Sequence, residues 1–238
     1  MIALVDSDIL VYRVGSVSND DTEPHALSKV DAFIENLFLV DLPDIFEWEL
    51  HLTGKDNFRK EKAVTVPYKG NRKDTAKPVH YEAIRKHLVR KWKAVVTDGM
   101  EADDKLAMRQ HSLTNEFKDK DASIIVTLDK DLDQVVGWHY NFVKKERYYM
   151  EQDEADLRFF KQFLTGDRID NIVGVKGIGD KKAQKLLQDL NNKERWDCIV
   201  EHLGLDRAIE NGHLLYMLRH EVDSFDNYLK TMELLCEE

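Results

Sequence analysis

No window of the sequence reaches the roughly 18 consecutive apolar residues that a bilayer-crossing helix needs. The opening stretch MIALVDSDIL has no basic flank and meets acids directly after Ile2–Val5, so neither a membrane span nor a secretory leader is expected. Cysteine is scarce: Cys198 and Cys236 stand 38 positions apart, without CxxC or Cys/His spacing. That excludes a disulfide framework and a cysteine zinc site, and a reducing cytoplasm is the expected location. Internal repeats, low-complexity tracts and Pro/Gly/Ser-rich linkers are all missing. Collagen-like and disordered classes fall away with them, and any second subdomain should pack against the first rather than hang from a tether.

What is present is charge and core. The chain of 238 residues is 42% hydrophobic and 34% charged, with a net charge of 35 − 45 = −10. This is enough apolar material for one large or two small domains. The charge is uneven: residues 55–93 hold 13 Lys and Arg against 4 acids, a local +9, which leaves −19 on the rest. Phosphate responds to the field within about a Debye length, so this segment keeps a nucleic-acid partner open despite the acidic whole. Residues 194–238 carry 4 − 11 = −7 and should bind phosphate poorly.

Ile2-Ala3-Leu4-Val5 is a short continuous apolar run ending at Asp6, the pattern of a strand buried on both faces. Leu27, Val30, Ile34, Leu37 and Phe38 predict a helix over roughly 26–41, and IFEWELHLT at 45–53 alternates as a strand. Residues 63–78 read as an exposed connection. Beyond it, Tyr81, Ile84, Leu88 and Trp92 give an amphipathic helix. A short strand near 94–97, a helix opening at about Glu101, a strand at 123–128 and a hairpin over 138–149 follow. Strands alternating with helices imply an α/β fold with a mostly parallel central sheet flanked by helices, over residues 1–150. From 151 to 238 the pattern is helical throughout.

The acids fall where such a sheet would gather them. Asp6 and Asp8 follow the first strand, Glu101, Asp103 and Asp104 open a helix, and Asp129 and Asp131 follow the strongest strand. Asp167 and Asp170 add a group in the helical part. Ligands of parallel sheets collect at the carboxyl ends of strands. Carboxylates crowded there repel by several kcal/mol unless cations intervene. An all-oxygen set without His or Cys suits Mg²⁺ or Mn²⁺ better than Zn²⁺. Two ions about 4 Å apart can clamp the attacking and leaving oxygens of a phosphoryl displacement. Each cluster alone also reads as first-turn acids of a helix or as turn residues after a strand; their joint placement favours the metal.

The stretch GVKGIGDKKAQKLL at 174–187 carries a second signal. Gly177 and Gly179 allow a tight hairpin with positive φ, Asp180 is placed to cap a helix, and Ala183, Leu186 and Leu187 form its buried stripe. Free N–H groups at such a turn, among Lys176, Lys181, Lys182 and Lys185, suit a phosphate. An ordinary helical corner with solvated lysines is the plain alternative.

Four blocks together resemble the flap endonuclease/5′→3′ exonuclease family, phage-type members and the 5′-nuclease domain of bacterial DNA polymerase I in particular. They are LVDSD at the first strand; FRKEKAVTVPYKGNRK at 58–73; MEADDKLA at 100–107 with TLDKDLDQV at 127–135; and LTGDRIDNIVGVKGIGDKKAQKLL at 164–187. The resemblance implies a PIN-like 5′-nuclease core, its basic arch within 55–93, and a C-terminal subdomain with a helix–three-turn–helix at 164–190. It implies a two-metal-ion nuclease with Asp6, Glu101, Asp103 and Asp104 nearer the first ion. Asp129, Asp131, Asp167 and Asp170 then belong to the second group, and Asp8 is a further candidate ligand. Lys69 and Arg72 match residues that contact the scissile phosphate, Lys73 extends that basic run, and Tyr68 would stack on the terminal base. Gly174, Lys176, Gly177, Gly179, Lys181 and Lys182 match the element that grips the duplex, in relatives with a bound K⁺.

The implied activity is a Mg²⁺-dependent 5′→3′ exonuclease and 5′-flap endonuclease on duplex, nicked or flapped DNA, with RNA–DNA hybrids also admitted and a monomer expected. One departure stands out: many relatives carry an acid at the end of the second strand, where this chain has Gly54, with Asp56 or Asp8 as replacements. A haloacid-dehalogenase-like phosphatase would place its later Gly-Asp after a strand, whereas Gly166-Asp167 follows an amphipathic helix pattern. A non-catalytic DNA clamp, with structural acids, is the third reading.

Overall fold

The computed structural model describes residues 1–72 and 75–234. The chain forms two compact units, residues 1–57 with 76–150, and residues 58–75 with the chain from Glu151 onward.

In the first unit the six-stranded sheet has the order β3-β2-β1-β4-β5-β6. Its strands are β1 (Ile2–Asp6), β2 (Glu47–Thr53), β3 (Val95–Thr97), β4 (Ser123–Val126), β5 (Gly137–Asn141) and β6 (Glu146–Met150). The pairs from β3 to β5 are parallel, and only β6 runs antiparallel, as the return of a hairpin. Alternation sends Ala3, Val5, Leu50, Leu52, Ile124 and Val126 to one core, shared with Leu10, Val30, Ile34, Ile84 and Leu88. These last come from α1 (Ser7–Ser16), α2 (Glu23–Asn36) and α4 (Tyr81–Trp92). Leu4 and Ile125 point the other way, and α5 (Ala102–Phe117), with Leu106 and Leu113 buried, packs on β1, β2 and β4. Burial on both faces is why β1 and β4 are unbroken apolar runs. The helix expected at 26–41 starts earlier, with Pro24 in its first turn, and ends in a π-helical turn over Leu37–Asp41.

The second unit contains α3 (Arg59–Lys62), α6 (Gln152–Thr165), α7 (Asp180–Leu187), α8 (Asn192–Leu203), α9 (Leu205–Leu215) and α10 (Phe225–Leu234). Phe159, Phe163, Trp196, Tyr216 and Phe225 form an aromatic core in edge and tilted contacts. Segment 58–75, which the sequence reading kept with the α/β part, belongs here for a physical reason. The buried Arg59 guanidinium donates to the carbonyls of Leu214 and Tyr216 at 2.9 and 2.8 Å, and Glu210 accepts from the N–H groups of Val64 and Thr65.

The region is not helical throughout. Gly166–Asp167 (β7) and Ile172–Val173 (β8) form an antiparallel ribbon, too short to show periodicity in the sequence. A Cβ on Gly174 would stand 2.3 Å from the Gly166 nitrogen and 2.5 Å from the Leu164 carbonyl. Two backbones therefore cross where only glycine fits.

Candidate functional site

Asp6, Asp8, Glu101, Asp103, Asp104, Asp129 and Asp131 all stand at the carboxyl edge of the first unit's sheet or at the helix starts beside it. Asp6 ends β1 and caps α1, accepting from the Ile9 N–H, and its other oxygen accepts from the Thr127 hydroxyl at 2.9 Å. That hydroxyl oxygen accepts in turn from the Asp129 N–H at 2.9 Å, and the Asp129 carboxylate takes the Asp131 N–H at 2.8 Å. Thr127 thus couples the ends of adjacent strands β1 and β4. Asp6 is only 2% exposed. Burial, and then the nearby Asp8 and Asp129 carboxylates, push its pKa up to about 7 against the opposing Thr127 bond.

The neighbouring β2 end is held by a second network. Asp8 accepts from the Thr53 N–H at 2.8 Å and from Arg85 at 2.8 Å, and Arg85 also donates to the Thr53 carbonyl at 2.6 Å. The Thr53 hydroxyl accepts from the Ala102 N–H, which ties β2 to the start of α5. There Glu101 and Asp104 form a reciprocal capping box, each carboxylate on the other's backbone N–H. Asp8, a candidate ligand, is therefore matched to Arg85. Asp56, the other replacement considered for Gly54, is exposed in a left-handed turn at φ 61°. Thr53, Arg85 and Thr127 escaped the sequence reading; TLDKD directly after a buried strand was the signal for Thr127.

In the second unit the YKGNR residues clasp the 167–171 loop. Asp167 accepts from the N–H groups of Ile169 and Asp170, closing that loop on itself. Asp170 accepts from the Tyr68 hydroxyl at 2.6 Å and from Arg72 at 2.8 Å, with Lys69 Nζ at 3.5 Å. The Asn71 amide donates to the Arg168 carbonyl and the Asn171 amide to the Pro67 carbonyl. Lys69 and Arg72, 69 and 72 in a basic run, are thus brought to one carboxylate. Tyr68 departs from expectation: it is 7% exposed with its hydroxyl spent on Asp170, so its ring is not an open stacking surface. Lys73 lies outside the described residues.

The 174–187 element presents Lys176, Gly177, Gly179, Lys181 and Lys182 to solvent. Gly177 has φ +81°, whereas Gly179 is extended at φ −97° and is itself the N-cap of α7. Asp180 does not cap the helix; its carboxylate pairs with Lys161 at 2.7 Å. Gly174 serves the crossing with Gly166 rather than an open turn. Cys198 is a free thiol, and Cys236 lies outside the described residues. No helix among the described residues is long and apolar enough to cross a membrane.

No family model matches the chain. It is 33% identical over 107 residues to a 5′-3′ exonuclease of Mycoplasmopsis pulmonis, 41% of this chain and 35% of that protein. With the thermostable DNA polymerase I of Thermus aquaticus it shares 37% identity over 133 residues, 50% of this chain and 15% of the polymerase. A flap endonuclease Xni of Pseudoalteromonas translucida is 35% identical over 106 residues, 40% of this chain and 39% of that protein. The matches thus span well under half the length of these curated relatives. In three dimensions the whole chain superposes on 99% of the bacteriophage T5 flap endonuclease, solved with DNA and metal ions, at a TM-score of 0.65 and 18% identity. The catalytic core of Rad2 in complex with DNA substrate matches at a TM-score of 0.52 and 15% identity over 73% of its length. The chain is a sequence relative of the 5′-3′ exonucleases and flap endonucleases, and it has the fold of the bacteriophage T5 enzyme.

Proposed function

We propose that the protein is a divalent-metal-dependent 5′ nuclease, hydrolysing phosphodiester bonds at the 5′ ends, nicks and flaps of duplex DNA. The observation that carries this reading is Asp6, a carboxyl 2% exposed at the end of β1 beside Asp8 and Asp129, whose pKa burial, and then those carboxylates, push up to about 7. A hard cation beside it would restore the ionised form and offset the repulsion. The donors at this edge are oxygens only, which fits Mg²⁺ or Mn²⁺. Among the described residues no three acidic, imidazole or thiol groups converge into a ready-made inner shell. Mg²⁺ suits such a site, because it keeps several of its waters. Asp6, Glu101, Asp103, Asp104, Asp129 and Asp131 would hold it.

Such an ion supplies Lewis-acid stabilisation of a phosphoryl oxygen. The chain's own residues do the rest. The Thr127 hydroxyl holds the Asp6 carboxylate and the Asp131 N–H holds that of Asp129, and Lys69 and Arg72 offer positive charge to a phosphate whose charge grows in the transition state. Their present partner, Asp170, keeps them oriented until then. The lysines of 174–187 would hold the duplex by its backbone, which positions without reading sequence. A second metal near Asp167 and Asp170, a K⁺ ion at the 174–187 turn, activity on RNA–DNA hybrids and action as a monomer complete the proposal.

The test uses 5′-labelled blunt, nicked, flapped and hybrid duplexes, each with Mg²⁺ and with EDTA, beside Asp129→Ala. Metal-dependent release of mono- or short oligonucleotides, lost in the variant while DNA binding persists, is the expected result. Binding without cleavage of any substrate would leave a DNA clamp instead.

A further inference from the structure

Residues 60–72 carry the YKGNR turn with almost no hydrophobic support: Tyr68 is their only buried side chain, and Val64 is 86% exposed. The turn is also strained, because Lys69 adopts φ +54°, a left-handed conformation that a lysine keeps only when its surroundings impose it. On one side the constraint is the 168–171 loop, where the Lys69 N–H donates to the Asp170 carbonyl at 2.9 Å and the Asn171 amide to the Pro67 carbonyl. Bonds from the Gly70 N–H to the Pro67 carbonyl and from the Arg72 N–H to the Lys69 carbonyl close the turn itself.

On the other side stands α9, in the acidic C-terminal stretch that no block of the resemblance reaches. One oxygen of the Glu210 carboxylate accepts from the N–H groups of Val64 and Thr65 at 2.8 and 2.7 Å, and the other accepts from the Thr65 hydroxyl. The Glu210 side chain is 10% exposed, so these charge-assisted bonds are largely shielded from competing water. The next residue, Asn211, is 1% exposed and donates its side-chain amide to the carbonyl of Val173, in the strand that follows the 168–171 loop, at 3.0 Å. Consecutive side chains on a helix point about 100° apart. A single turn of α9 thus grips both partners of the clasp, Glu210 the segment before the YKGNR turn and Asn211 the strand after the Asp170 loop.

We propose that Glu210, with Asn211 beside it, is a positioning residue that sets where Lys69 and Arg72 are presented. Only Val66 separates the anchored Thr65 from Pro67, whose ring fixes φ and whose carbonyl receives both the Gly70 and the Asn171 donors. A shift at Thr65 therefore reaches Lys69 with little chain to absorb it. That the two cations meet a scissile phosphate rests on the nuclease reading; that Glu210 holds their turn does not.

Two substitutions decide the assignment. Glu210→Gln keeps one oxygen for both N–H groups and lets the Thr65 hydroxyl turn round to accept, whereas Glu210→Ala ends all three bonds. Amide exchange followed by NMR in EDTA, without DNA, should quicken about tenfold or more at Lys69, Gly70 and Arg72 in Glu210→Ala, and stay within about twofold of wild type in Glu210→Gln. Single-turnover cleavage of a 5′-flapped duplex should fall about tenfold or more in Glu210→Ala, as small misplacements of a reacting group do, while Kd in Ca²⁺ moves no more than about threefold. Glu210→Gln should restore the wild-type rate. Should the alanine variant not fold, Glu210→Asp, one methylene shorter, carries the same predictions at smaller size. Faster exchange confined to Val64 and Thr65, with Lys69 at its wild-type rate, would overturn the assignment, and so would a loss of cleavage shared equally by Glu210→Gln. Wild-type protein that cleaves no substrate would sink the nuclease reading, and the exchange rates would still decide for or against Glu210.

Discussion

Arg85 donates to Asp8 Oδ1 at 2.8 Å and to the Thr53 carbonyl at 2.6 Å, so a single guanidinium joins α1, β2 and α4 at the acidic edge of the sheet. The pair is partly buried, with the Arg85 side chain 15% exposed. Removing the cation leaves Asp8 as an unmatched charge beside Asp6. Arg85→Ala should therefore cost about 1–3 kcal/mol in urea unfolding, in the range of hydrogen bonds to charged groups. Most of that loss should vanish in an Asp8→Asn background, since the double-mutant cycle isolates the pair.

The Asp6 carboxyl gives the metal-free protein a pH signature. Its pKa rises from 3.8 to about 7 on folding, chiefly through burial and then through Asp8. Between those values the folded chain binds more protons at this position than the unfolded one. Its stabilising contribution is thus present at acid pH and lost as pH rises through about 7, at a slope of up to about 1.4 kcal/mol per pH unit. In EDTA, denaturation midpoints should fall over that window, and Asp6→Asn should flatten the fall and raise stability at pH 8. On the proposed reading, added Mg²⁺ should stabilise wild type, and the same variant should lose that gain. A parallel fall in both proteins would assign the pH dependence to other groups.

The backbone of this site was legible in the sequence because its determinants are local. An apolar run that stops at an acid marks β1 and Asp6, or β4 and Asp129, with no knowledge of the rest of the chain. The capping box at Glu101 and Asp104 is equally local. Long-range pairings were not visible. Nothing in the order of residues says that Arg85 meets Asp8, that Thr127 bridges Asp6 and Asp129, or that the Tyr68 hydroxyl donates to Asp170. Gly54 stands out in the sequence as a gap, but the carboxylate that crowds its would-be Cβ, Asp98 at 2.0 Å, comes from just after β3. The β7–β8 ribbon escaped because two-residue strands leave no pattern.

Gly174 and Gly177 sit three residues apart in one motif yet should respond differently to the same change. A methyl on Gly174 meets the Gly166 nitrogen at 2.3 Å, with no flexible side chain to yield. Overpacking of this kind costs about 1–3 kcal/mol or more, so Gly174→Ala should unfold at visibly lower denaturant. Gly177 has nothing within 4 Å of its would-be Cβ and pays only for φ +81°. Gly177→Ala should lose about 1 kcal/mol. Equal losses at the two positions would contradict the crossing of the Gly166 and Gly174 backbones.

Lys69→Ala should separate catalysis from binding. The Lys69 Nζ lies 3.5 Å from Asp170 and 5.1 Å from the Tyr68 ring centre, so the ammonium is held in place before any substrate arrives. A preoriented cation contributes most where charge develops, and less to ground-state binding, which on the proposed reading Arg72 and the duplex-holding lysines of 174–187 would share. Lys69→Ala should therefore lower single-turnover cleavage by about 10²-fold, a loss typical of removing one stabilising donor. Its Kd for a 5′-flapped duplex, measured in Ca²⁺ to prevent turnover, should shift by no more than about threefold. Equal losses in cleavage and affinity would reduce Lys69 to a phosphate clamp, because an interaction of equal strength in ground and transition states cannot change the chemical step.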